Sequence, residues 1–176
     1  MYIKPTENLK NDVEEFINNL LSQNISPPKG VDALNYKDNH KILTVKTEQN
    51  NYPANECWYN CVDYCLKNGG KPIFGWAIWH IEPNKFVAQH HAVVQLNDNL
   101  VDVTLGNKCE SIIFVPDQNA PFDFDNLRFP FNFEQSPQGS LWFAHQHTKV
   151  SFSICRGEKL EHVEEIIKKG KAKGII

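Results

Sequence analysis

A thiol, an imidazole and a carboxylate follow one another along the chain as Cys57, His91 and Asp102, in local contexts that suit a cysteine nucleophile. In that chemistry the thiolate attacks a carbonyl carbon and the imidazole carries the proton. The carboxylate fixes the tautomer of the imidazole and stabilises the imidazolium. The three residues can act together only if the elements that carry them place them side by side.

Cys57 lies at the start of a predicted helix over residues 56–68. Asn55 can cap the N-terminus of this helix, and Gly69 and Gly70 follow it as a stop signal. A thiol in the first turn is close to unpaired N–H groups and to the positive end of the helix dipole, which favour the thiolate. The helix start is therefore a suitable place for a nucleophile.

The same helix carries two further cysteines. On a helical wheel, Cys61 and Cys65 lie on or beside the apolar face, so both are predicted to be buried core residues. Asn60 and Asp63 lie opposite that face. Cys57 lies at its edge, and from the helix alone a nucleophile and a third structural cysteine are equally good interpretations.

His91 and Asp102 lie on two predicted strands that a two-residue turn joins as a hairpin. The turn is Asn97-Asp98 or Asp98-Asn99, and either choice places both side chains on one side of the sheet because side chains alternate along a strand. A three-residue loop would break this register.

With the Asn97-Asp98 turn, Asp102 lies opposite Val93 and diagonally from His91, within side-chain reach. The other face of the hairpin is wholly apolar and is predicted to be core. His91 and Asp102 are therefore predicted on the more polar face, as a cleft requires. The alternative is a His and an Asp on a solvated sheet face.

The pattern along residues 1–176 predicts a single α+β domain, with the cysteine helix packed on a mainly antiparallel sheet. The segment 116–138 is predicted to be a long ordered loop whose phenylalanines pack on the body. The predicted strands are 41–47, 72–81, 85–96, 99–105, 111–115 and 149–155, and the predicted helices are 6–23, 56–68 and 158–169.

Composition excludes several classes of protein. A net charge of −3 argues against nucleic acid as the main partner, because phosphate binding needs a basic surface. No apolar run approaches the roughly 20 residues of a membrane span, and the N-terminus lacks the hydrophobic stretch of a signal peptide. We therefore expect a cytoplasmic protein with no membrane partner, although a protein delivered into a host would look the same.

Five cysteines, an odd number, make a poor disulfide framework and suggest reduced thiols. A shared zinc is unfavourable for Cys57, Cys61 and Cys65, because the outer two lie about 12 Å apart on a straight helix. Two of them could share a metal with histidines from elsewhere. The prediction is no metal and no cofactor.

Three segments resemble the papain-like superfamily of cysteine enzymes, nearest its transglutaminase-like branch: Cys57-Trp58 at a helix start, His91-Ala92-Val93 on a strand, and Val101-Asp102-Val103-Thr104 on the next. The run Gly-Trp-x-Ile-Trp, His-His-Ala-Val, Asp-Val-Thr is also similar to small uncharacterised bacterial and phage proteins of this kind. The resemblance covers about residues 53–105.

The resemblance implies Cys57 as nucleophile, His91 as general base and acid, and Asp102 as the orienting carboxylate. It implies acyl transfer from an amide or ester carbonyl of a protein, peptide or other amide substrate. With water the enzyme would be a thiol hydrolase (a peptidase, amidase or deamidase). With an amine acceptor it would be a transglutaminase.

The glutamine that often supplies the oxyanion donor in papain-like proteases is not evident before Cys57. Asn55, Asn51 or a backbone N–H at the helix start could take that role. Trp76 and Trp79 are core residues by default and could instead line a substrate cleft, and Trp58 and His90 are further candidates for substrate contact.

Two alternatives stay open at the level of the sequence. One is a non-catalytic binding module that uses the same fold and an aromatic cleft. The other is a metal-binding protein that uses Cys and His ligands.

Overall fold

The computed structural model of the chain describes residues 41–82, 85–106, 109–118, 121–127, 129, 132–135, 141–145 and 157–176. The predicted helix over 6–23 and the predicted strand over 149–155 lie outside these residues.

The described residues form two helices and seven strands, which confirms the prediction of an α+β chain. In chain order these are β1 (Leu43–Thr47), α1 (Cys57–Asn68), β2 (Lys71–Glu82), β3 (Lys85–Leu96), β4 (Asn99–Asp102), β5 (Ser111–Pro116), β6 (Asn132–Gln135), β7 (Leu141–His145) and α2 (Gly157–Ala172).

The strands form one sheet in the order β2-β5-β1-β4-β3-β6-β7. A further pairing of β2 with β3 joins the first strand of this order to the fifth, so five strands close into a small barrel. The β6–β7 pair extends from β3 outside that ring. Only the β1–β4 pair is parallel among the described pairings, so the sheet is mainly antiparallel, as the sequence predicts.

Barrel closure buries both faces of the β3–β4 hairpin. Ala92 and Val94 pack on the outer side against α1. Val93 packs in the barrel interior with Phe114, and Leu100 packs against that cluster. The prediction that the His91 face is a polar cleft is therefore wrong. An open sheet would leave that face to solvent, whereas a small closed barrel fills its interior with side chains.

Strand β4 is shorter than predicted. It ends at Asp102, because the backbone N–H groups of Thr104 and Leu105 donate to Asp102 Oδ1 at 2.9 Å and 2.6 Å and turn the chain out of the sheet. Val103 consequently joins the core beside α1, whereas Leu105 joins the barrel interior.

The ends of α1 confirm one sequence signal and correct another. Gly69 has a φ of 81°, in the left-handed region, and its N–H donates to Cys65 O at 2.9 Å, so the glycine stop is confirmed. The residue at the N-cap is Glu56, with no side-chain capping bond. The prediction that Asn55 caps the helix is wrong, because Asn55 lies one residue earlier with a φ of 67°.

The predicted loop over 116–138 contains strand β6, and β7 was also missed. The aromatic part of the prediction holds for Phe122 and Phe124, which contact the ring of Tyr59. Among the described residues, no helix has the length and apolar character needed to cross a membrane.

Gly75 allows β2 to lie close to β5 at a position directly opposite His91 in β3. A Cβ at Gly75 would lie 2.1 Å from Val115 O and 2.9 Å from Pro116 Cα. We expect Gly75→Ala to lower the free energy of unfolding by about 1–3 kcal/mol, because the two strands must separate to accept the methyl group. Urea unfolding measures this change, and an unaltered midpoint would contradict the close approach.

Candidate active site

Three elements meet at the candidate site. Cys57 is the first residue of α1, and Asp102 is the last residue of β4. The register pairs Leu96 with Asn99, so the turn is Asn97-Asp98, the first of the two turns that the sequence leaves open. Extended along the hairpin, this register sets Asp102 diagonally from His91 on β3, as predicted.

The imidazole of His91 and the carboxylate of Asp102 are hydrogen-bonded through Nε2 and Oδ2. The other carboxylate oxygen, Oδ1, accepts the two backbone bonds from Thr104 and Leu105 that end β4. Burial by itself would raise the pKa of Asp102, but the charge of His91 and these hydrogen bonds lower it overall. Asp102 is therefore a buried, fully hydrogen-bonded carboxylate, with 0% of its surface exposed.

His91 is held between two groups that favour its charged form. Burial alone lowers the pKa of His91, but the charges of Cys57 and Asp102 and hydrogen bonds to both residues raise it to about 10. Because Asp102 occupies Nε2, the other ring nitrogen, Nδ1, is left for the thiol. His91 is therefore an imidazolium with a carboxylate on one side and Cys57 on the other.

The cysteines of α1 differ in their surroundings. Cys61 and Cys65 are buried, as predicted. Burial and the charge of Cys57 raise the pKa of Cys61 well above its ordinary value, and burial raises that of Cys65 to about 11. Both are therefore neutral structural thiols. Cys57 is also buried, 4% exposed, but it interacts with an imidazolium.

The side of α1 predicted to lie opposite the apolar face is also buried. Asn60 is 3% exposed and Asp63 is 7% exposed. The hydroxyl of Tyr52 donates to Asp63 Oδ2 at 2.8 Å, so the chain segment before α1 lies over this side of the helix. The amide of Asn60 donates to Pro53 O at 2.9 Å and to Thr104 Oγ1 at 3.1 Å. This polar side of the helix is therefore a buried, hydrogen-bonded interface.

Trp58 and His90, two candidates for substrate contact, lie in a buried aromatic cluster on the outer face of β3. The indole N–H of Trp58 donates to His90 Nδ1 at 3.0 Å. The indole ring stacks with the rings of Phe122 and Phe129, with centroids 4.6 Å and 5.1 Å away. Because side chains alternate along β3, His90 faces away from His91, and the structure does not bring His90 to the His91–Asp102 pair.

Trp76 and Trp79, the other two tryptophans considered for substrate contact, are also core residues. Trp76 is buried and its ring meets that of His90 edge-on, with centroids 5.2 Å apart. Trp79 packs in the barrel interior and donates its indole N–H to Gln89 Oε1 at 3.1 Å. The default prediction of core positions is therefore confirmed for both residues.

The two asparagines proposed as oxyanion donors, Asn51 and Asn55, are exposed, unlike the buried thiol. The inward-facing amide of this segment belongs to Asn50, whose Nδ2 donates to Val103 O at 2.6 Å. The backbone N–H of Cys57 lies in the first turn of α1, where a helix supplies no acceptor of its own. That N–H group is the better-placed donor for an oxyanion at the thiol.

Sequence reasoning missed the residues whose hydrogen bonds fix the segment that follows β4, next to Asp102. Asn50, Asn60 and Thr104 all bond to the segment that follows β4 or belong to it. The available signal was the spacing of Asn60, one helical turn after Cys57. A helical wheel gives the position of an asparagine on the helix but does not show whether another segment of the chain covers it.

Among the residues with described side chains, no group of three or more His, Cys, Asp or Glu residues could hold a metal ion. Comparisons of the chain with protein-family models, with curated proteins and with solved structures find no match.

Proposed function

We propose that this protein is a thiol-dependent acyl-transfer enzyme of papain-like architecture, with Cys57 as nucleophile, His91 as general acid and base, and Asp102 as the orienting carboxylate. One observation carries the proposal: a buried His91 bonded through Nε2 to Asp102 and acting through its other side on a cysteine at a helix start. This is the constellation that thiol acyl transfer needs.

The chemistry follows from the charge state of the pair. Cys57 Sγ attacks the carbonyl carbon of an amide or ester, and the imidazolium of His91 gives its proton to the leaving amine or alcohol. The product is a thioester between Cys57 and the acyl group. His91, now neutral, takes a proton from the attacking water or acceptor amine as the C–S bond breaks, which releases a carboxylic acid or a new amide and restores the thiolate of Cys57 beside the imidazolium of His91.

The energetic cost of the buried pair supports this role. Placing charged groups in a core costs free energy that their attraction and hydrogen bonds must recover, and apolar residues of similar size often serve stability better. Asp102 is 0% exposed and His91 is 5% exposed, and His91 also interacts with Cys57. Strongly perturbed pKa values of this kind cluster at functional sites.

The rate at which iodoacetamide alkylates each cysteine, measured across pH and mapped by mass spectrometry, tests the proposal. We expect Cys57 to react at pH 6 about tenfold or more faster than Cys61 or Cys65, because Cys57 interacts with His91, whereas burial raises the pKa of the other two thiols. His91→Gln, which keeps a hydrogen-bonding side chain without the charge, is expected to remove this fast reaction at pH 6.

The two buried neighbours on the same helix act as internal controls, and near-UV circular dichroism of His91→Gln shows whether the variant keeps its tertiary packing. Slow alkylation of Cys57, unchanged in His91→Gln, would contradict the proposal that the protein is a thiol-dependent enzyme. A non-catalytic binding module would then be the better interpretation, since 4% exposure of the thiol is also typical of a core cysteine.

A further inference from the structure

Something must fix the distance between Cys57 and the His91–Asp102 pair. The hairpin register places His91 and Asp102 relative to each other, because both belong to paired antiparallel strands. Cys57 belongs to a different element, α1, which packs on the outer face of the sheet largely through apolar side chains. Apolar burial is non-directional, so it holds the helix on the sheet without fixing its position along the strands.

Asn60 supplies a directional bond on the side of the helix that faces Asp102. Its amide nitrogen donates to Thr104 Oγ1 at 3.1 Å and to Pro53 O at 2.9 Å. The backbone N–H of Thr104 in turn donates to Asp102 Oδ1 at 2.9 Å. One amide thus joins the helix that carries the thiol, the segment leading into that helix, and the turn that holds the carboxylate.

A second polar bond crosses from α1 to the hairpin, from the indole of Trp58 to His90 Nδ1. It lies on the opposite face of β3 from His91 and does not reach the Asp102 turn. The hydrogen bonds of Asn60, by contrast, lead directly to Thr104, whose backbone N–H bonds to the carboxylate of Asp102.

We infer that Asn60 is a positioning residue that, through Thr104, sets the start of α1 against the Asp102 turn and so brings Cys57 into register with His91. The inference rests on the proposed function, because register matters only if the thiol and the imidazole act together. Asn60 does not touch the reacting atoms and acts through the geometry of Cys57 and Asp102.

The test compares two nearly isosteric substitutions at the acceptor. Thr104→Val removes the hydroxyl that Asn60 binds, whereas Thr104→Ser keeps it. The measurement is the pH profile of Cys57 alkylation by iodoacetamide. We expect Thr104→Val to lose about tenfold in rate at pH 6, the equivalent of one lost hydrogen bond, and to approach wild type at alkaline pH, where any accessible thiol ionises. Thr104→Ser is expected to remain within about twofold of wild type.

Asn60→Leu, which removes the donor, is expected to change the profile in the same way as Thr104→Val. Asn68→Ala is the matched control on the same helix, because Asn68 Nδ2 donates to Tyr64 O at 3.2 Å near the exposed end of α1. It loses a side-chain hydrogen bond without touching the site and is expected to leave the profile unchanged. If Asn60→Leu fails to fold, the valine–serine pair at Thr104 still decides the question.

A Thr104→Val profile that matches those of Thr104→Ser and wild type would overturn the positioning role. That result is distinct from failure of the proposed function, in which wild type itself lacks fast alkylation at pH 6 and His91→Gln changes nothing. A purely structural role for Asn60 would shift the thermal midpoint of Thr104→Val without altering the shape of its pH profile.

Discussion

Asp102→Ala is expected to lower the free energy of unfolding by about 3–5 kcal/mol, because it leaves a buried imidazolium without its partner. The backbone N–H groups of Thr104 and Leu105 lose their acceptor in the same step. Unpaired groups in a core cost more than the bonds they formed. Urea unfolding of both proteins at pH 7 measures the difference.

Asp102→Asn is the matched variant that separates stability from chemistry. The asparagine oxygen can still accept from Thr104 and Leu105, so the turn after β4 is kept and the loss of stability is smaller than for alanine. With that oxygen bound to the turn, the asparagine side chain has no second oxygen that could accept a hydrogen bond from His91 Nε2, as the carboxylate does. We expect alkylation of Cys57 at pH 6 to fall by about 10–150-fold, the value of a hydrogen bond between charged groups.

Equal stabilities of the alanine and asparagine variants would show that Oδ1 contributes nothing to the turn. Unchanged alkylation in Asp102→Asn would show that the carboxylate does not act through His91. The two outcomes are independent, because one concerns the backbone bonds and the other the imidazole.

The hairpin was predictable because its determinants are local. Strand alternation, the Asn97-Asp98 turn and the spacing to Asp102 all lie within a dozen residues of His91, and the structure has the predicted register. The glycine stop of α1 was predictable for the same reason, since only the conformation of Gly69 is involved.

Barrel closure was not predictable from local pattern, because it depends on the pairing of β2 with β3 and of β1 with β4. In an open sheet, a strand whose apolar and polar residues alternate buries its apolar face and leaves its other face in solvent. This is why His91 and Asp102 were expected in a polar cleft, whereas both are buried.

The role of Asn60 was not predictable for a related reason. The environment of Asn60 is set by Pro53, seven residues earlier, and by Thr104, forty-four residues later. The helical wheel describes a helix alone, so it cannot distinguish a solvated polar face from one that bonds to another segment.

The pKa shifts of His91 and Asp102 predict how the free energy of unfolding depends on pH. The pKa of His91 in the folded protein is about 10, against an ordinary value of 6.5, so the folded state holds this proton more tightly than the unfolded state does. The stabilisation is complete below about pH 6.5 and is lost as the pH rises through 10. Asp102 has the opposite sign: its pKa is lowered, so its contribution is present at neutral pH and is lost in acid.

We therefore expect the difference in unfolding free energy between wild type and His91→Gln to shrink by about 4 kcal/mol from pH 6 to pH 10. The raised pKa values of Cys61, Cys65 and Tyr64 also cost stability in alkali, but these groups are common to both proteins and cancel in the difference. Urea unfolding of wild type and His91→Gln at intervals of one pH unit measures this difference in unfolding free energy. A difference that stays constant over this range would mean that His91 is not an imidazolium in the folded protein, and the charge state on which acyl transfer by Cys57 depends would be absent.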